Sequence, residues 1–346
     1  IKGSTINTCE LVNEEGNGWY NCTFNTSGYA TQYWNIRLNV SKSSYNDNTT
    51  TKTNAFWIET NPILFAPQVI PSVGGWGESF TFKVNFTDED FDSLTVSYRA
   101  TGPSGTTEKT GSANAQGINY QIIWSGITFT SGDRGNWTVW FNVSDDFGYS
   151  NISKNFTVEK DDVSINYVYG NGTTVDRVSG STTFRLKAID IDNPSYSISY
   201  QPAAFWVTTN ASDPNSWGPM ISTTTDDYGN FSTTFSPDCT YGVGLQKWKG
   251  GLRVNDYWKE ANSSIFNVTI TSQFEPFITQ PINQTIVRDY DPTSGTYSVS
   301  NPLIIKGNLT DLAGCGGVED ANETQFIIPS KSYVCDAVEE GSGWYN

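Results

Sequence analysis

The sequence predicts an all-β chain, a linear array of tandem immunoglobulin-like β-sandwich domains. Three observations carry that expectation. Short runs alternate apolar and polar residues, clusters of turn residues separate them, and no stretch shows helical periodicity. One motif also occurs near both ends, as Cys9-Glu10-Leu11-Val12-Asn13-Glu14-Glu15-Gly16-Asn17-Gly18-Trp19-Tyr20-Asn21 and as Cys335-Asp336-Ala337-Val338-Glu339-Glu340-Gly341-Ser342-Gly343-Trp344-Tyr345-Asn346. Such a recurrence makes the chain read as one period of a longer repeat, begun and ended inside a domain.

Residues 1–60 read as the C-terminal, closing half of a sandwich. Trp34, Ile36, Leu38 and Val40 alternate with Asn35, Arg37 and Asn39, which points one face inward, and a further strand passes through Phe56 and Ile58. Residues 61–159 read as a complete domain: Phe80, Phe82, Val84 and Phe86 form one alternating run, Trp137, Val139, Phe141 and Val143 another, and Phe156 and Val158 mark the last strand. Gly102-Pro103-Ser104-Gly105 and Ser131-Gly132-Asp133-Arg134-Gly135 supply turns between them.

Residues 160–272 repeat the design with insertions. Phe184, Leu186 and Ala188 precede Asp190-Ile191-Asp192-Asn193 much as Phe86 precedes Asp88-Glu89-Asp90, and Phe266, Val268 and Ile270 close the unit. From 273 to 346 the pattern restarts as the N-terminal half of a sandwich, with strands expected at Thr285-Ile286-Val287, Ser298-Val299 and Leu303-Ile304-Ile305. Half a sandwich exposes its apolar face and its edges, so each end is expected to be completed by the next repeat or by a neighbouring subunit.

Composition narrows the function. Lys and Arg number 20 against 36 Asp and Glu, a net charge of −16, which disfavours nucleic acid and anionic membranes as partners. No apolar run is long enough for a membrane span. With only 16% charged residues the surface needs another source of solubility. Asn-x-Ser/Thr triplets supply one: Asn21, Asn25, Asn39, Asn48, Asn85, Asn136, Asn142, Asn151, Asn155, Asn171, Asn210, Asn230, Asn262, Asn267, Asn283, Asn308 and Asn322 each begin a sequon. Chance accounts for some of them in so Asn- and Thr-rich a chain, but their density points to an exported, N-glycosylated protein.

Five cysteines are an odd number, yet one repeat period holds an even four. Cys9 and Cys22 are the expected disulfide. Cys335 is expected to pair just beyond Asn346, while Cys239 and Cys315 either pair or stay free. Zero His removes the usual catalytic base and the commonest metal ligand, and no acidic pair converges on a recognisable cleft, so no catalytic residue and no enzymatic activity are expected.

The acidic turns have another use. Asp88, Asp90 and Asp92, beside Glu89, offer several hard oxygens on one loop, as Ca²⁺ requires, although the spacing is not that of an EF-hand. Solvated acidic turns are the plainer alternative. Asp190 with Asp192, and Asp161-Asp162 at a presumed hinge, are weaker versions of the same idea. Apart from Ca²⁺ no cofactor is expected. Trp19, Tyr20, Trp76, Trp217 and Trp258 either stack on sugars or, as most Trp in small sandwiches do, serve as core.

At Gly-x-Gly-Trp-Tyr-Asn-Cys-Thr, followed by Leu38-Asn39-Val40-Ser41-Lys42-Ser43-Ser44-Tyr45-Asn46, the sequence resembles tandem Ig-like repeats of very large secreted surface proteins of archaea. Pro237-Asp238-Cys239-Thr240-Tyr241, Gln246-Lys247-Trp248 and Lys259-Glu260-Ala261-Asn262-Ser263-Ser264 resemble another module of those proteins, in which a second Cys falls near Asp256; none does here. The resemblance implies a glycosylated cell-surface or filament protein and no chemistry. The expected function is therefore an extracellular structural fibre or sheath whose partners are copies of itself and N-linked glycans. A cell-surface adhesin presenting glycan- or cell-binding loops is the alternative.

Overall fold

The computed structural model describes residues 8–9, 11–103, 108–299, 303–331 and 333–346. Glu10 of the first motif copy and Ser104-Gly105 of the expected turn lie outside them. Described residues form β-strands joined by turns, with two 3₁₀ segments, Ser131–Asp133 and Pro329–Lys331. The chain divides into two compact units, Ile1–Lys160 and Asp161–Asn346.

The first unit opens with two hairpins, Val12–Gly16 with Trp19–Cys22 and Tyr33–Val40 with Asn48–Trp57. The expected inward face of the second is not buried: Ile36, Leu38 and Val40 are 52%, 50% and 46% exposed. Alternation did place them on one face, but Tyr33–Val40 and Asn48–Trp57 pair only with each other and no second sheet covers them among the described residues. Only at one end do Phe24, Tyr29, Trp34 and Phe56 form a small aromatic cluster.

Residues 63–159 build a two-layer sandwich. One sheet has the order Tyr120–Thr128, Ser79–Thr87, Ile63–Ile70; the other runs Val73–Gly75, Tyr149–Glu159, Gly135–Ser144, Leu94–Thr101, Lys109–Ala115. Val73–Gly75 pairs in parallel with the end of Tyr149–Glu159, because the chain crosses between sheets after Ile70. Period-two alternation fills the core: Phe80, Phe82, Val84, Val96, Val139, Phe141 and Val143 are buried, and Phe82 packs edge-on to Tyr98 at 5.1 Å. Truncating one such Phe to Ala costs about 3–5 kcal/mol. The indole of Trp137 donates to the Asp133 carbonyl, so its one polar atom is satisfied inside the core.

In the second unit, residues 163–271 repeat this order. Val163–Tyr169, Thr182–Asp190 and Asn230–Phe235 form one sheet; Thr173–Asp176, Phe266–Thr271, Gly244–Leu252, Pro202–Val207 and Ile221–Thr224 form the other, with Ala261–Asn262 beside Gly244–Leu252. Phe184 stacks on Trp248 at 4.3 Å between the layers. Gly250 lets the layers close there, since a Cβ would lie 2.7 Å from Leu186 and 2.8 Å from Phe205.

The remainder of this unit is a four-stranded sheet ordered Phe274–Gln280, Lys306–Asp311, Trp344–Tyr345, Glu339–Gly341, with the hairpins Arg288–Asp291/Thr296–Val299 and Gln325–Ile328/Tyr333–Asp336. Two expected strands shift. Thr285-Ile286-Val287 lies outside any strand; the strand begins at Arg288, in a hairpin whose turn is closed by Asp291, whose carboxylate accepts from Thr293 N–H and whose carbonyl accepts from Gly295 N–H. Leu303-Ile304-Ile305 also precedes its strand, which begins at Lys306, and Leu303 and Ile305 instead line an apolar groove of about 370 Å³ with Phe277, Ile278, Leu309 and Phe326.

Candidate functional site

The alternation that buries Phe80, Phe82, Val84 and Phe86 continues one step further and buries Asp88, which is 1% exposed. Strand parity, not loop chemistry, puts this carboxylate inside. Asp190, after Phe184, Leu186 and Ala188, is 3% exposed for the same reason, and Asp311, which ends Lys306–Asp311, is 7% exposed. The segments match in sequence as well, Asn85-Phe86-Thr87-Asp88 against Asn308-Leu309-Thr310-Asp311. The two sandwiches and the C-terminal sheet thus each place a buried Asp at the same strand end.

What surrounds that Asp differs from module to module. At Asp190 one carboxylate oxygen, Oδ1, accepts from the Asp192 and Asn193 amides, an ordinary turn closure. At Asp311 a guanidinium neutralises it: Arg177, with a side chain 8% exposed, pairs with Asp311 and donates to the Tyr241 carbonyl, while Ser272 and the Ala313 amide donate to the other carboxylate oxygen. Burial opposes ionisation of Asp311, but Ser272, Ala313 and Arg177 outweigh it and hold its carboxyl below the usual range.

At Asp88 the neighbours are further carboxylates. Oxygens of Glu59, Asp90 and Asp92 lie within 4.8 Å of one another, and the Asp90 carboxyl is within hydrogen-bonding reach of both Glu59 and Asp88. Asp145, on the turn between Gly135–Ser144 and Tyr149–Glu159, adds its charge to Asp88. Phe91, at φ 63°, reverses the loop so that the Asp92 amide donates to Asp88 Oδ2 at 3.2 Å. The Thr60 amide and hydroxyl both donate to Asp90 Oδ2, and the Phe147 and Gly148 amides donate to Asp145 Oδ1. Each of these three Asp therefore spends one oxygen on folding its surroundings. The other oxygen, Asp88 Oδ1, Asp90 Oδ1 or Asp145 Oδ2, is buried and accepts from no amide or hydroxyl group, as with Glu59 Oε1, so that only a proton on a neighbouring carboxyl can serve it.

The electrostatics follow from this crowding. Burial, then hydrogen bonding to and repulsion by Asp90, push the carboxyls of both Glu59 and Asp88 up to about 7. Burial also opposes ionisation of Asp90, but the Thr60 amide, Glu59, Asp88 and the Thr60 hydroxyl outweigh it and lower its value. Among the described residues no Lys or Arg forms an ion pair with any of the five.

Of the sequence-derived candidates, Asp88, Asp90 and Asp92 are thus brought together. Glu59 and Asp145 were not legible, being 29 residues before Asp88 and 57 after it, on segments with no recurring acidic pattern. Arg177 was missed for the same reason, though the recurring Asn-x-Thr-Asp could have flagged Asp311. Asp162 is taken up by Lys259 at 2.8 Å.

Among the sequons, Asn85, Asn230 and Asn308 are half-buried and the rest are exposed, including Asn142 and Asn151, which face each other across two strands. Cys9 is bonded to Cys22 and Cys239 to Cys315, while Cys335 is a free, half-buried thiol. Of the aromatics weighed as sugar platforms, Trp76 and Trp258 are core, at 9% and 3% exposed. Trp217 is half-buried with the Lys249 ammonium 4.5 Å from its ring centre, and Trp19 and Tyr20 are exposed.

The two motif copies form the same hairpin. Glu14 pairs with Tyr20 and Gly16 with Trp19; Glu339 pairs with Tyr345 and Gly341 with Trp344. Both turn through three left-handed residues, Gly16-Asn17-Gly18 and Gly341-Ser342-Gly343. The second copy is docked: Trp344 and Tyr345 pair with Asn308 and Gly307, the Gly343 carbonyl accepts from Leu309 N–H, and the Tyr345 hydroxyl donates to the Val318 carbonyl. The first copy pairs with no other strand among the described residues.

These features define a class: an all-β chain of tandem sandwich modules with a buried Asp at a recurring strand end. No family model and no curated protein matches the chain. Among solved structures it is similar to a tetra-tandem repeat in the extending region of a large adhesion protein, at 13% identity and a TM-score of 0.37, over 94% of this chain and 75% of that one. It is also similar to a red sea bream transglutaminase, at 10% identity and 0.30, over 60% of this chain and 31% of that one. A third is trypsin-activated α-2-macroglobulin from Escherichia coli, at 11% and 0.23, over 83% and 21%. At these TM-scores none of the three decides what this chain does.

Proposed function

We propose that the chain is a non-catalytic structural module of an extracellular, N-glycosylated array, in which the segment 23–57 of one copy completes the sandwich begun by residues 274–345 of another. The observation that carries this is the pair of equivalent hairpins, one docked on Lys306–Asp311 and one undocked. Residues 23–57 follow the undocked copy, and they present the apolar face Ile36, Leu38 and Val40. Beside the docked copy lies the apolar groove of Phe277, Ile278, Leu309 and Phe326. Seating the one on the other removes both surfaces from water at about 25 cal/mol per Å². Two disulfides and the exposed sequons support an oxidising, extracellular setting, and the absence of His fits a role without catalysis.

The test is solution assembly of the full chain, followed by light scattering and electron microscopy. Wild-type chain is expected to form linear oligomers. The double substitution Ile36→Asp with Leu38→Asp, on side chains exposed in the single copy, is expected to leave the melting temperature unchanged and to abolish assembly. A chain that stays monomeric at high concentration, or a double variant that assembles as well as wild type, removes this reading.

A further inference from the structure

We propose that Glu59, Asp88, Asp90, Asp92 and Asp145 form a Ca²⁺ site that locks the N-terminal hairpin module to the sandwich that follows it. The site lies within one copy, so it stands or falls independently of how copies assemble.

Three separate segments meet there. Glu59 leaves the Asn48–Trp57 strand, Asp88, Asp90 and Asp92 occupy the loop after Ser79–Thr87, and Asp145 sits on the turn before Tyr149–Glu159. Thr60 holds Asp90, and the Thr31 hydroxyl donates to the Glu89 carbonyl, so the loop is already tied to the preceding module. An acidic cluster alone proves little, since exposed ones are solvated. Here Asp88 is 1% exposed, its Oδ1 accepts from no amide or hydroxyl group, and Glu59, Asp90 and Asp145 each hold a further buried oxygen in the same condition. Leaving one buried acceptor unmet already costs about 1–3 kcal/mol, more for a charged group. The corresponding Asp311 shows the alternative solution, with Arg177 as the counter-charge. At Asp88 that place belongs to a cation from solution.

The donor set identifies the cation. All candidate ligands are carboxylate oxygens, which suits a hard ion. They come from three segments, and Asp88, Asp90 and Asp145 each have one oxygen already held by neighbouring amides, which suits the irregular, six- to eight-fold shell of Ca²⁺ better than the strict octahedron of Mg²⁺.

The experiment uses the full chain stripped with EDTA. Tb³⁺ is added as a luminescent stand-in and excited through Trp57, two residues before Glu59; Ca²⁺ is then titrated as competitor. Half-saturation by Ca²⁺ is expected at about 0.1–1 mM, the range of extracellular modules, with a rise in melting temperature. Glu59→Gln is expected to melt, in EDTA, no lower than wild type, because it removes a carboxyl whose charge the fold disfavours, Asp90→Asn to melt lower, because the Thr60 donors lose their carboxylate, and both to lose the Ca²⁺ response. Wild-type melting that ignores Ca²⁺ overturns the proposal. So do Glu59→Gln and Asp90→Asn chains as responsive as wild type, because the ion then binds elsewhere. Should Asp90→Asn fail to fold, the wild-type and Glu59→Gln arms decide alone.

Discussion

Tyr345 and Tyr20 hold the same position in the same hairpin, yet Tyr345 is 4% exposed and Tyr20 is 53% exposed. The difference is the sheet beside them. Tyr345 donates to the Val318 carbonyl at 3.0 Å, whereas Tyr20 pairs only within its own hairpin. Tyr345→Phe is therefore expected to destabilise the second unit by about 1 kcal/mol, one net hydrogen bond, and Tyr20→Phe in an unassembled chain by nothing measurable. Chemical denaturation of the two variants checks this.

The glycines of the same turn separate more sharply. A Cβ at Gly343 would meet the Leu309 carbonyl and stand 2.8 Å from Gly317, while at Gly18 it would meet nothing within 4 Å. Both have φ near +80°, so Ala costs each about 1 kcal/mol in strain. Gly343→Ala carries the backbone clash in addition and is expected to be the more damaging by about 1–3 kcal/mol. Equal losses would mean that the second hairpin is not seated on Lys306–Asp311.

Arg177 and Asp311 are a buried pair, and removing one partner strands the other. Arg177→Met is expected to cost about 3–5 kcal/mol. Because the folded carboxyl of Asp311 lies below its ordinary 3.8, its contribution is present above that value and is lost as pH falls through the lower, folded one. Acid unfolding of wild type should show this loss, and Arg177→Met should show a smaller one, since Ser272 and Ala313 still donate to Asp311.

Cys239 and Cys315 close a loop of 76 residues. By chain entropy, Cys239→Ser with Cys315→Ser is expected to lose about 4 kcal/mol. Comparing the melting of this double variant with that of wild type, both without reductant, leaves the Cys9–Cys22 bond intact in each and isolates the effect.

Metal-free chain should become less stable from acid to neutral pH at the carboxylate cluster. Glu59 and Asp88 start from 4.5 and 3.8 and rise to about 7 in the fold, beside Asp90, Asp92 and Asp145. Between these limits the folded chain holds more protons than the unfolded one. The contribution is thus full below about 4 and lost as pH rises through about 7. Melting in EDTA across this window, in wild type and in Glu59→Gln, reads the Glu59 share directly.

Much of the fold was legible because alternation is a local property. Phe80 to Phe86 and Trp137 to Val143 announce their strands and buried faces without reference to the rest of the chain, and the same parity carries Asp88 inward. Thr285–Val287 and Leu303–Ile305 misled for a related reason: a short apolar run shows that residues seek cover but not whether a partner strand pairs with them, and here the strands begin only at Arg288 and Lys306.

The sequence by itself determined the sandwich strands, the recurring acidic strand end and the duplicated hairpin, since each rests on neighbours within a few residues. Tertiary structure alone decided that Glu59 and Asp145 join Asp88, that Arg177 answers Asp311, and that one hairpin docks while its twin does not. Each of these is a meeting of distant segments, and charge, burial and register at such a meeting depend on what the fold brings alongside.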